Sequence, residues 1–532
     1  MPEKKNYGAI SLILCFLLLL GSLAVPNFHI VLDSLPLLSA EEDKNGNNGF
    51  AQYVAQVQKN YREKLDQKND FVSLNGLYAR MTGARTSNNV VRTNNGMLTH
   101  QRIGKQDTKP YAESVAGLSD FLSGLEIPFL YVQAPYKLSL DESALPVGIE
   151  NLYNESTDEL LKYLQEYGVD TLDLRPYITK TADQSKQHFY ATDHHWNPIG
   201  AFRGFQVIAE RLQEIFPEEP VCGIAAGQDS WEVHRVPDRF LGSHGRRVGP
   251  YFGGVDDLIY LTPEFQTEMS CLVPDKNLFY QGDFEDAVIR RQHIDDPADY
   301  YNTNPYCVYI GGDYAVVQHR NERAPSTKRL LLIKDSFMLP MQSFLSTVFQ
   351  EIDVVDLRHF TEDSLAEYAR DFEPDLVLCM FNPSQFGTKS QWEFGVDKKF
   401  STPLSEMFYE EVYYNPELIL EADEKSGNKY ITLFEKLESG GSYTLEFDSI
   451  EFVKGNAGTV KIQINDLKNK KVLASRMLDV AYCQETGRYT CQLRVPDSKE
   501  KMDLYLYAGI PGETAGNTVR LSGVTLYKRS MA

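Results

Sequence analysis

Short apolar runs alternate with amphipathic stretches through the middle of the chain. The runs have the length of buried strands, and they cover residues 128–133, 170–174, 329–334, 351–356 and 376–381. Apolar positions with helical spacing lie around them, at residues 50–65, 112–124, 159–167, 199–216, 341–349 and 364–370. Strands that alternate with helices predict an α/β fold, in which a parallel sheet is covered by helices on both faces.

Beyond residue 398 the pattern changes to the two-residue period of half-buried strands. The alternating segments are separated by Gly, Asn and Asp turns and cover residues 430–433, 442–447, 459–465, 490–495, 504–507 and 519–527. This pattern predicts a β-sandwich of the jelly-roll kind. We therefore expect an α/β domain over residues 45–397 and a β-sandwich domain over residues 398–532, the latter with a binding or shielding role.

The N-terminus carries a different signal. Residues 8–25 contain no charge, and Lys4 and Lys5 precede them. That length can span a bilayer, and the basic flank predicts a cytoplasmic N-terminus. We predict a transmembrane signal-anchor within residues 1–30, with a cleaved signal peptide as the alternative. Either interpretation predicts export of the remaining chain.

Composition narrows the classes of partner. A chain of 532 residues with 42% hydrophobic and 24% charged residues is an ordinary globular protein of more than one domain. The net charge of −21 argues against nucleic acid as a partner. The 31 tyrosines suit carbohydrate stacking and β-rich cores alike. Cys483 and Cys491 flank a predicted turn, where an exported protein could form a cross-strand disulfide.

The densest chemistry lies at Asp193-His194-His195-Trp196, directly before Asn197-Pro198. Asn is a good N-cap and Pro suits a first helical turn, so the cluster lies on a loop that enters the helix predicted at residues 199–216. If that loop turns back, the Asp193 carboxylate can orient and charge-stabilise the His195 imidazole, as a general base requires. The alternative is a loop with surface histidines and a core tryptophan.

Ser336 follows the predicted strand at residues 329–334, at a strand-to-helix turn. Such a turn exposes a hydroxyl near a helix N-terminus, where developing negative charge is favoured. A serine needs a base to become nucleophilic, and we assign that role to His195 with Asp193 as its orienting group.

Four further residues are candidates for substrate or oxyanion contacts: Gly312, Arg358, Asn382 and Arg246. Arg358 and Asn382 follow predicted strands, and chemistry collects at the carboxyl ends of parallel strands. Gly312 belongs to a glycine pair that could donate N–H groups or simply form a tight turn. Arg358 could equally form an ordinary salt bridge. Arg246 lies in a basic run that could bind an anionic sugar or shape a loop.

Asp193-His194-His195-Trp196, with Lys334-Asp335-Ser336-Phe337 downstream, resembles the DHHW-motif protein family of bacterial exported proteins. More distantly, residues 50–395 are similar to the SGNH-hydrolase-like domains of the alginate O-acetylation proteins, which carry an Asp-x-His motif upstream of a nucleophilic Ser. Asp193, His195 and Ser336 match those three positions, and His194 occupies the variable one.

The resemblance implies an SGNH-hydrolase-like fold and O-acyl chemistry on a cell-envelope polysaccharide through an acyl-serine. It also implies a membrane-embedded partner that supplies the acyl group, and no cofactor or metal. The acetyl donor, the glycan and the choice between transferase and esterase stay open.

Two other functions are compatible with the sequence. One is a non-catalytic, glycan-binding envelope protein that retains the fold. The other is a phosphoesterase with Asp193, His194 and His195 as metal ligands, although the further acids and histidines of such a site are missing from the neighbouring strand ends.

Overall fold

The computed structural model describes most of the chain. It covers Gly21 and residues 27–36, 49–102, 104–276, 278–360, 365–395, 407–422, 429–455, 459–468, 471–480, 483, 489–495, 500–509 and 516–531. The apolar run at residues 8–25 lies outside the described residues except for Gly21. No helix within the described part of the chain has both the length and the apolar character needed to cross a bilayer.

A sheet of eight strands forms the centre of the α/β part. The strands are β1 Phe129–Gln133, β2 Thr171–Asp173, β3 Met269–Val273, β4 Leu278–Gly282, β5 Val316–Asn321, β6 Ser326–Lys334, β7 Phe349–Val355 and β8 Leu376–Phe381. Their order across the sheet is β2-β1-β8-β6-β7-β5-β3-β4. Strand β6, which leads to Ser336, is therefore in the interior of the sheet.

The sheet is mixed rather than wholly parallel. β2, β1, β8, β6 and β7 run parallel, and all five were predicted from the sequence. β5, β3 and β4 extend the β7 edge as antiparallel strands, and the sequence did not predict them. β5 lacks a continuous apolar run because one face of an antiparallel strand can be polar, whereas β3 is buried along its whole length.

Helices cover both faces of the sheet, as predicted. Successive residues of β6 point to opposite faces, so Leu331 and Ile333 contribute to one core and Leu330 and Leu332 to the other. The first core is completed by helices Lys109–Gly124, Tyr153–Glu166 and Leu365–Phe372. The second is completed by helices that we call α1 (Pro198–Ile215) and α3 (Met338–Leu345), and α2 (Ser243–Val248) lies between them in sequence.

The boundary of α3 differs from the prediction. A helix was expected over residues 341–349, but α3 ends at Leu345 and Phe349 already begins β7. The whole stretch is buried. An apolar run that passes from a buried helix into a buried strand has no polar positions to mark the change.

The other regular elements of the described chain surround this core. The remaining helices are Phe28–Ser34, Gly49–Lys64, Lys68–Met81, Arg175–Ile178, Ala182–His188, Pro250–Gly253, Phe284–Val288 and Gln292–Asp295. Strands Thr86–Ser87, Val90–Arg92 and Leu98–His100 form a small sheet, and Trp231–Phe240 pairs with Asp256–Pro263.

The C-terminal strands form two antiparallel sheets. One contains Met407–Glu421, Ser442–Glu446, Ser449–Lys454, Thr490–Arg494 and Thr518–Met531, and the other contains Tyr430–Leu437, Thr459–Asp466, Lys471–Asp479 and Met502–Tyr507. Apolar side chains of both sheets share one core. The predicted boundary at residue 398 lies outside the described residues, as do residues 484–488 between Cys483 and Cys491.

Candidate active site

Ser336 lies in the turn between β6 and α3, and Asp335 fixes that turn. Asp335 Oδ1 accepts a hydrogen bond from the Phe337 N–H at 2.9 Å. Its Oδ2 accepts one from the backbone N–H of Asn382 and one from the Asn382 Nδ2, both at 2.7 Å. Because Asn382 directly follows β8, the carboxylate braces two adjacent strand ends next to Ser336.

The loop with Asp193 and His195 enters α1 as predicted. The Asn197 side chain caps the helix by accepting a hydrogen bond from the Gly200 N–H at 3.0 Å, and Pro198 is the first helical residue. Trp196 is fully buried, and its Nε1–H donates to the Phe337 carbonyl at 3.0 Å. This bond joins the histidine loop to the serine turn across 141 residues of sequence.

Asp193, His195 and Ser336 form one hydrogen-bonded chain. His195 Nε2 lies 2.7 Å from Ser336 Oγ, and His195 Nδ1 lies 2.5 Å from Asp193 Oδ1. All three side chains are buried, with Ser336 the most exposed at 8%. This order of hydroxyl, imidazole and carboxylate lets the imidazole take a proton from the serine while the carboxylate stabilises the resulting cation.

The environment of Asp193 keeps its carboxylate charged. Burial alone would raise its pKa, but the adjacent His194 and His195 imidazoles and the donated hydrogen bonds hold the pKa well below its usual range. Besides His195 Nδ1, the donors are the His195 N–H at 2.9 Å and the Ser243 N–H at 2.5 Å. The first residue of α2 thus contributes directly to the orientation of the carboxylate.

Two aromatic rings hold the His195 imidazole. The Tyr306 ring stacks on it, with 3.8 Å between centroids and 11° between planes, and the Tyr306 hydroxyl donates to the Ser336 carbonyl at 3.0 Å. The His194 ring lies 3.7 Å from it, and its Nδ1 shares a 2.8 Å hydrogen bond with Ser243 Oγ. Burial and the neighbouring His195 lower the pKa of His194 to about 3, so His194 is neutral at physiological pH.

Four residues that the sequence did not predict contact the site: Tyr306, Lys137, Gly242 and Asp256. Tyr306 contacts it through a ring stack, whereas the other three contact residues 190–193 of the loop before His195. No short motif marks such residues, because they act on backbone or ring atoms far away in sequence.

The predicted oxyanion and substrate residues have different surroundings. The N–H groups of Ser336 and Gly312 donate to no acceptor within the described part of the chain. Asn382 uses its amide on Asp335, and its Oδ1 accepts from the Ser384 N–H at 2.8 Å. Arg246 lies on α2, is partly buried, and has no ion-pair partner among the described residues.

Arg358 belongs to an ion-pair network beside the site. Its guanidinium lies 2.5 Å from Asp356 and 3.0 Å from Asp313, and the buried Lys334 ammonium contacts the same two carboxylates. Burial would raise the pKa of Asp313, but Lys334 and Arg358 outweigh it and lower the pKa to about 2. This is the salt bridge that the sequence left as the alternative for Arg358.

Asp193, His194 and His195 also have the composition of a metal site. One ligand atom from each lies within 4.8 Å of the others. Both ring nitrogens of His195 are engaged, however, by Asp193 and by Ser336. An ion ligated by His195 would have to break one of these two bonds, so the hydrogen-bonded chain and a His195-bound metal exclude each other.

A comparison with protein families identifies the kind of domain that contains the histidine loop. Residues 93–225, which contain Asp193 and His195, match the family described as "SGNH hydrolase-like domain, acetyltransferase AlgX". The chain carries an SGNH-hydrolase-like domain of the acetyltransferase type. The resemblance to the DHHW-motif proteins and to the alginate O-acetylation proteins is thereby confirmed. The matched residues end before Ser336, which the fold brings to His195.

Several solved structures are similar to this SGNH-hydrolase-like chain. Bacillus cereus PatB1 is 21% identical with a TM-score of 0.46, and the match covers 56% of this chain and 96% of that one. A DHHW family protein from Eubacterium siraeum is 17% identical with a TM-score of 0.45, over 58% and 95% of the two chains. Pseudomonas aeruginosa AlgX is 15% identical with a TM-score of 0.32, over 83% and 94%. No curated protein sequence matches the chain at a significant level.

Proposed function

We propose that the protein is a membrane-anchored, extracytoplasmic O-acetyltransferase or acetylesterase that acts on a cell-envelope polysaccharide. Ser336 is the nucleophile, His195 the general base and acid, and Asp193 the group that orients His195. The hydrogen-bonded chain from Asp193 Oδ1 through His195 to Ser336 Oγ carries this proposal. An SGNH-hydrolase-like domain of the acetyltransferase type supports it.

The reaction would proceed in two acyl-transfer steps. Ser336 Oγ attacks the acetyl carbonyl of the donor ester, and its proton passes to His195 Nε2. The bond to the leaving oxygen breaks, that oxygen takes the proton from His195, and acetyl-Ser336 remains. A sugar hydroxyl then attacks the acetyl-enzyme, while His195 takes its proton and returns it to Ser336 Oγ. Water in place of the sugar would make the enzyme an esterase.

The tetrahedral intermediates need N–H donors for the oxyanion. The Ser336 N–H is the first candidate because it is adjacent to the nucleophile and donates to no acceptor within the described part of the chain. The Gly312 N–H is the second, and it too is unused. Gly312 precedes Asp313, whose carboxylate interacts electrostatically with His195. Arg246 would contact an anionic part of the substrate.

The proposal also covers the location of the protein and its partners. The uncharged run at residues 8–25 behind Lys4 and Lys5 supports a single membrane anchor with the remaining chain outside the cytoplasm. The acyl group would come from a membrane-embedded partner. We place the acyl-transfer domain at residues 45–397 and a glycan-binding domain at residues 398–532. Tyr414 and Tyr430, 56% and 52% exposed, offer rings for sugar stacking there.

Hydrolysis of p-nitrophenyl acetate tests the catalytic assignment. We expect Ser336→Ala and His195→Ala each to lower turnover by about 10⁴-fold or more, because the members of such a triad act as a unit. Ser343→Ala and His234→Ala are the matched controls. Ser343 is buried in α3 with its hydroxyl on the Leu339 carbonyl, and His234 bonds Thr262 Oγ1 at 2.8 Å. Both controls should keep full activity.

Two outcomes would overturn the assignment. If all four variants retain the rate of the unsubstituted protein, its ester hydrolysis is background, and a glycan-binding protein becomes the better description. If chelation abolishes turnover while Ser336→Ala retains it, the metal-dependent alternative at Asp193, His194 and His195 is favoured.

A further inference from the structure

One buried ammonium group holds the backbone of the loop that carries Asp193. Lys137 lies just beyond the end of β1, and its side chain is only 2% exposed. Its Nζ donates to the carbonyls of Tyr190, Ala191 and Asp193 at 2.9, 3.1 and 2.6 Å. These three bonds use all three N–H groups of a lysine ammonium.

One carboxylate holds the amides of the same loop. Asp256 begins strand Asp256–Pro263. It accepts hydrogen bonds from the N–H groups of Ala191 and Thr192, both at 2.7 Å, and from the Thr192 hydroxyl at 2.6 Å. Carbonyls of the loop are therefore bound by a positive group and amides by a negative one, the pairing that each backbone group prefers.

The same contacts extend to the donors that orient Asp193. Thr192 Oγ1, which donates to Asp256, accepts the Gly242 N–H at 2.8 Å. The next residue is Ser243, whose N–H donates to Asp193 Oδ2. Asp256 thus influences Asp193 through the loop and also through the start of α2.

We propose that Lys137 and Asp256 are positioning residues for acyl transfer, which set the Asp193 carboxylate against His195 by clamping the loop of residues 190–193 from two sides. The proposal rests on the proposed function, but it makes a separate statement about the Asp193–His195 hydrogen bond.

The clamp requires the charged form of Lys137. A neutral amine has two N–H groups and would point its lone pair at the third carbonyl. Burial lowers the pKa of Lys137 to about 8, although the facing carboxylates of Asp256 and Asp193 raise it in part. His194 and His244, which also face Lys137, have pKa values below the usual range because they are buried, and so they stay neutral.

Kinetics of Lys137→Met and Asp256→Asn test the clamp. We expect Lys137→Met to lower kcat about 10²-fold with KM within twofold, because a small misplacement of a catalytic group costs about that much. Asp256→Asn should lower kcat about tenfold, because an amide nitrogen replaces one of the two oxygens that accept the three hydrogen bonds from the loop. Lys461→Met is the matched control, since Lys461 is also buried with a lowered pKa but lies in strand Thr459–Asp466.

Two further readouts separate positioning from folding. In the unsubstituted protein kcat should fall as pH rises above about 8, the pKa of Lys137, and Lys137→Met should lack that decline. Lys137→Ala enlarges a cavity of about 10 Å³ that Lys137 lines. Ethylammonium should therefore restore part of its activity, whereas acetamide should not. If Lys137→Met does not fold, rescue of a folded Lys137→Ala variant by ethylammonium still tests the clamp.

A proton NMR signal tests the clamp without catalysis. The short Asp193–His195 hydrogen bond should give a far-downfield Nδ1–H resonance, which disappears or moves upfield in Lys137→Met and Asp256→Asn but not in Lys461→Met. If Ser336 proves inactive and the resonance still responds, the clamp stands and the proposed function falls. If the resonance and kcat are unchanged in folded Lys137→Met, the clamp is wrong.

Discussion

The site joins two segments that the fold holds in different ways. The serine turn, residues 334–337, is held by the sheet itself, since β6 leads into it and Asp335 braces it to the end of β8. The histidine loop, residues 190–196, is held by polar groups from three other parts of the chain: Lys137, Asp256 and the start of α2. The proposed nucleophile is thus positioned by regular structure, and the proposed base by individual side chains.

Asp335 and Asp193 make the contrast concrete. Both are aspartates, and both are almost fully buried. Burial raises the pKa of Asp335, although N–H groups and the Arg358 charge offset part of the rise. At Asp193 the two imidazoles and the Ser243 N–H outweigh burial and lower the pKa. Two equally buried aspartates therefore differ because of their neighbours. Asp335 has a structural role, and Asp193 has an electrostatic one.

Of the substitutions that test this contrast, Asp193→Asn should lower kcat the most. An asparagine amide facing His195 Nδ1 would favour the wrong tautomer, in which Nε2 carries a proton and cannot accept one from Ser336. We expect kcat for p-nitrophenyl acetate to fall about 10⁴-fold with little change in Tm. Asp283→Asn, which keeps an N-cap acceptor on helix Phe284–Val288, is the control. A loss of less than about tenfold in Asp193→Asn would remove Asp193 from the mechanism.

Gly242→Ala should have the second-largest effect on kcat, because it displaces the Ser243 N–H that binds the Asp193 carboxylate. A Cβ at residue 242 would lie 2.3 Å from Asp193 Cβ, so the start of α2 must move and the Ser243 N–H with it. We expect about a 10²-fold loss of kcat and a lower Tm. Gly117→Ala, whose added Cβ meets nothing within 4 Å inside helix Lys109–Gly124, should leave kcat unchanged and should not lower Tm. Full activity in Gly242→Ala would show that α2 does not orient the carboxylate.

Asp335→Asn should have the smallest effect on catalysis. The variant loses one acceptor for the Asn382 and Phe337 N–H groups, so it should destabilise the protein by about 1–3 kcal/mol, measured by denaturant unfolding. Because β6 and α3 still place Ser336 in the variant, and Asp335 does not contact His195, kcat should stay within about tenfold. A loss as large as that of Asp193→Asn would mean that the two aspartates do not differ in role.

The sequence predicts the candidate reacting residues on both sides of the site, but it predicts the support of the serine turn better than that of the histidine loop. The apolar run at residues 329–334 identifies a buried parallel strand, and the strand places Ser336 at its carboxyl end, where a ligand-facing residue is expected. The Asp-x-His spacing likewise identifies Asp193 and His195. Those two signals are local, so a single sequence contains them.

The remaining parts depend on contacts without a local pattern. Lys137 and Asp256 bind backbone atoms of the loop, and any lysine or aspartate at the right place in space could do so. Gly242 is required only because Asp193 approaches it closely. The antiparallel strand β5 was missed for a related reason, since polar residues interrupt its apolar pattern. Tertiary neighbours determine all of these features.

The central claim is that Ser336 becomes acylated with the help of His195. Intact-mass and peptide mass spectrometry after brief exposure to p-nitrophenyl acetate tests it most directly. We expect one acetyl group on the peptide that contains Ser336, in the unsubstituted protein but in neither Ser336→Ala nor His195→Ala. Labelling of the other serines with none at Ser336, or equal labelling of Ser336 in the His195→Ala variant, would contradict the account.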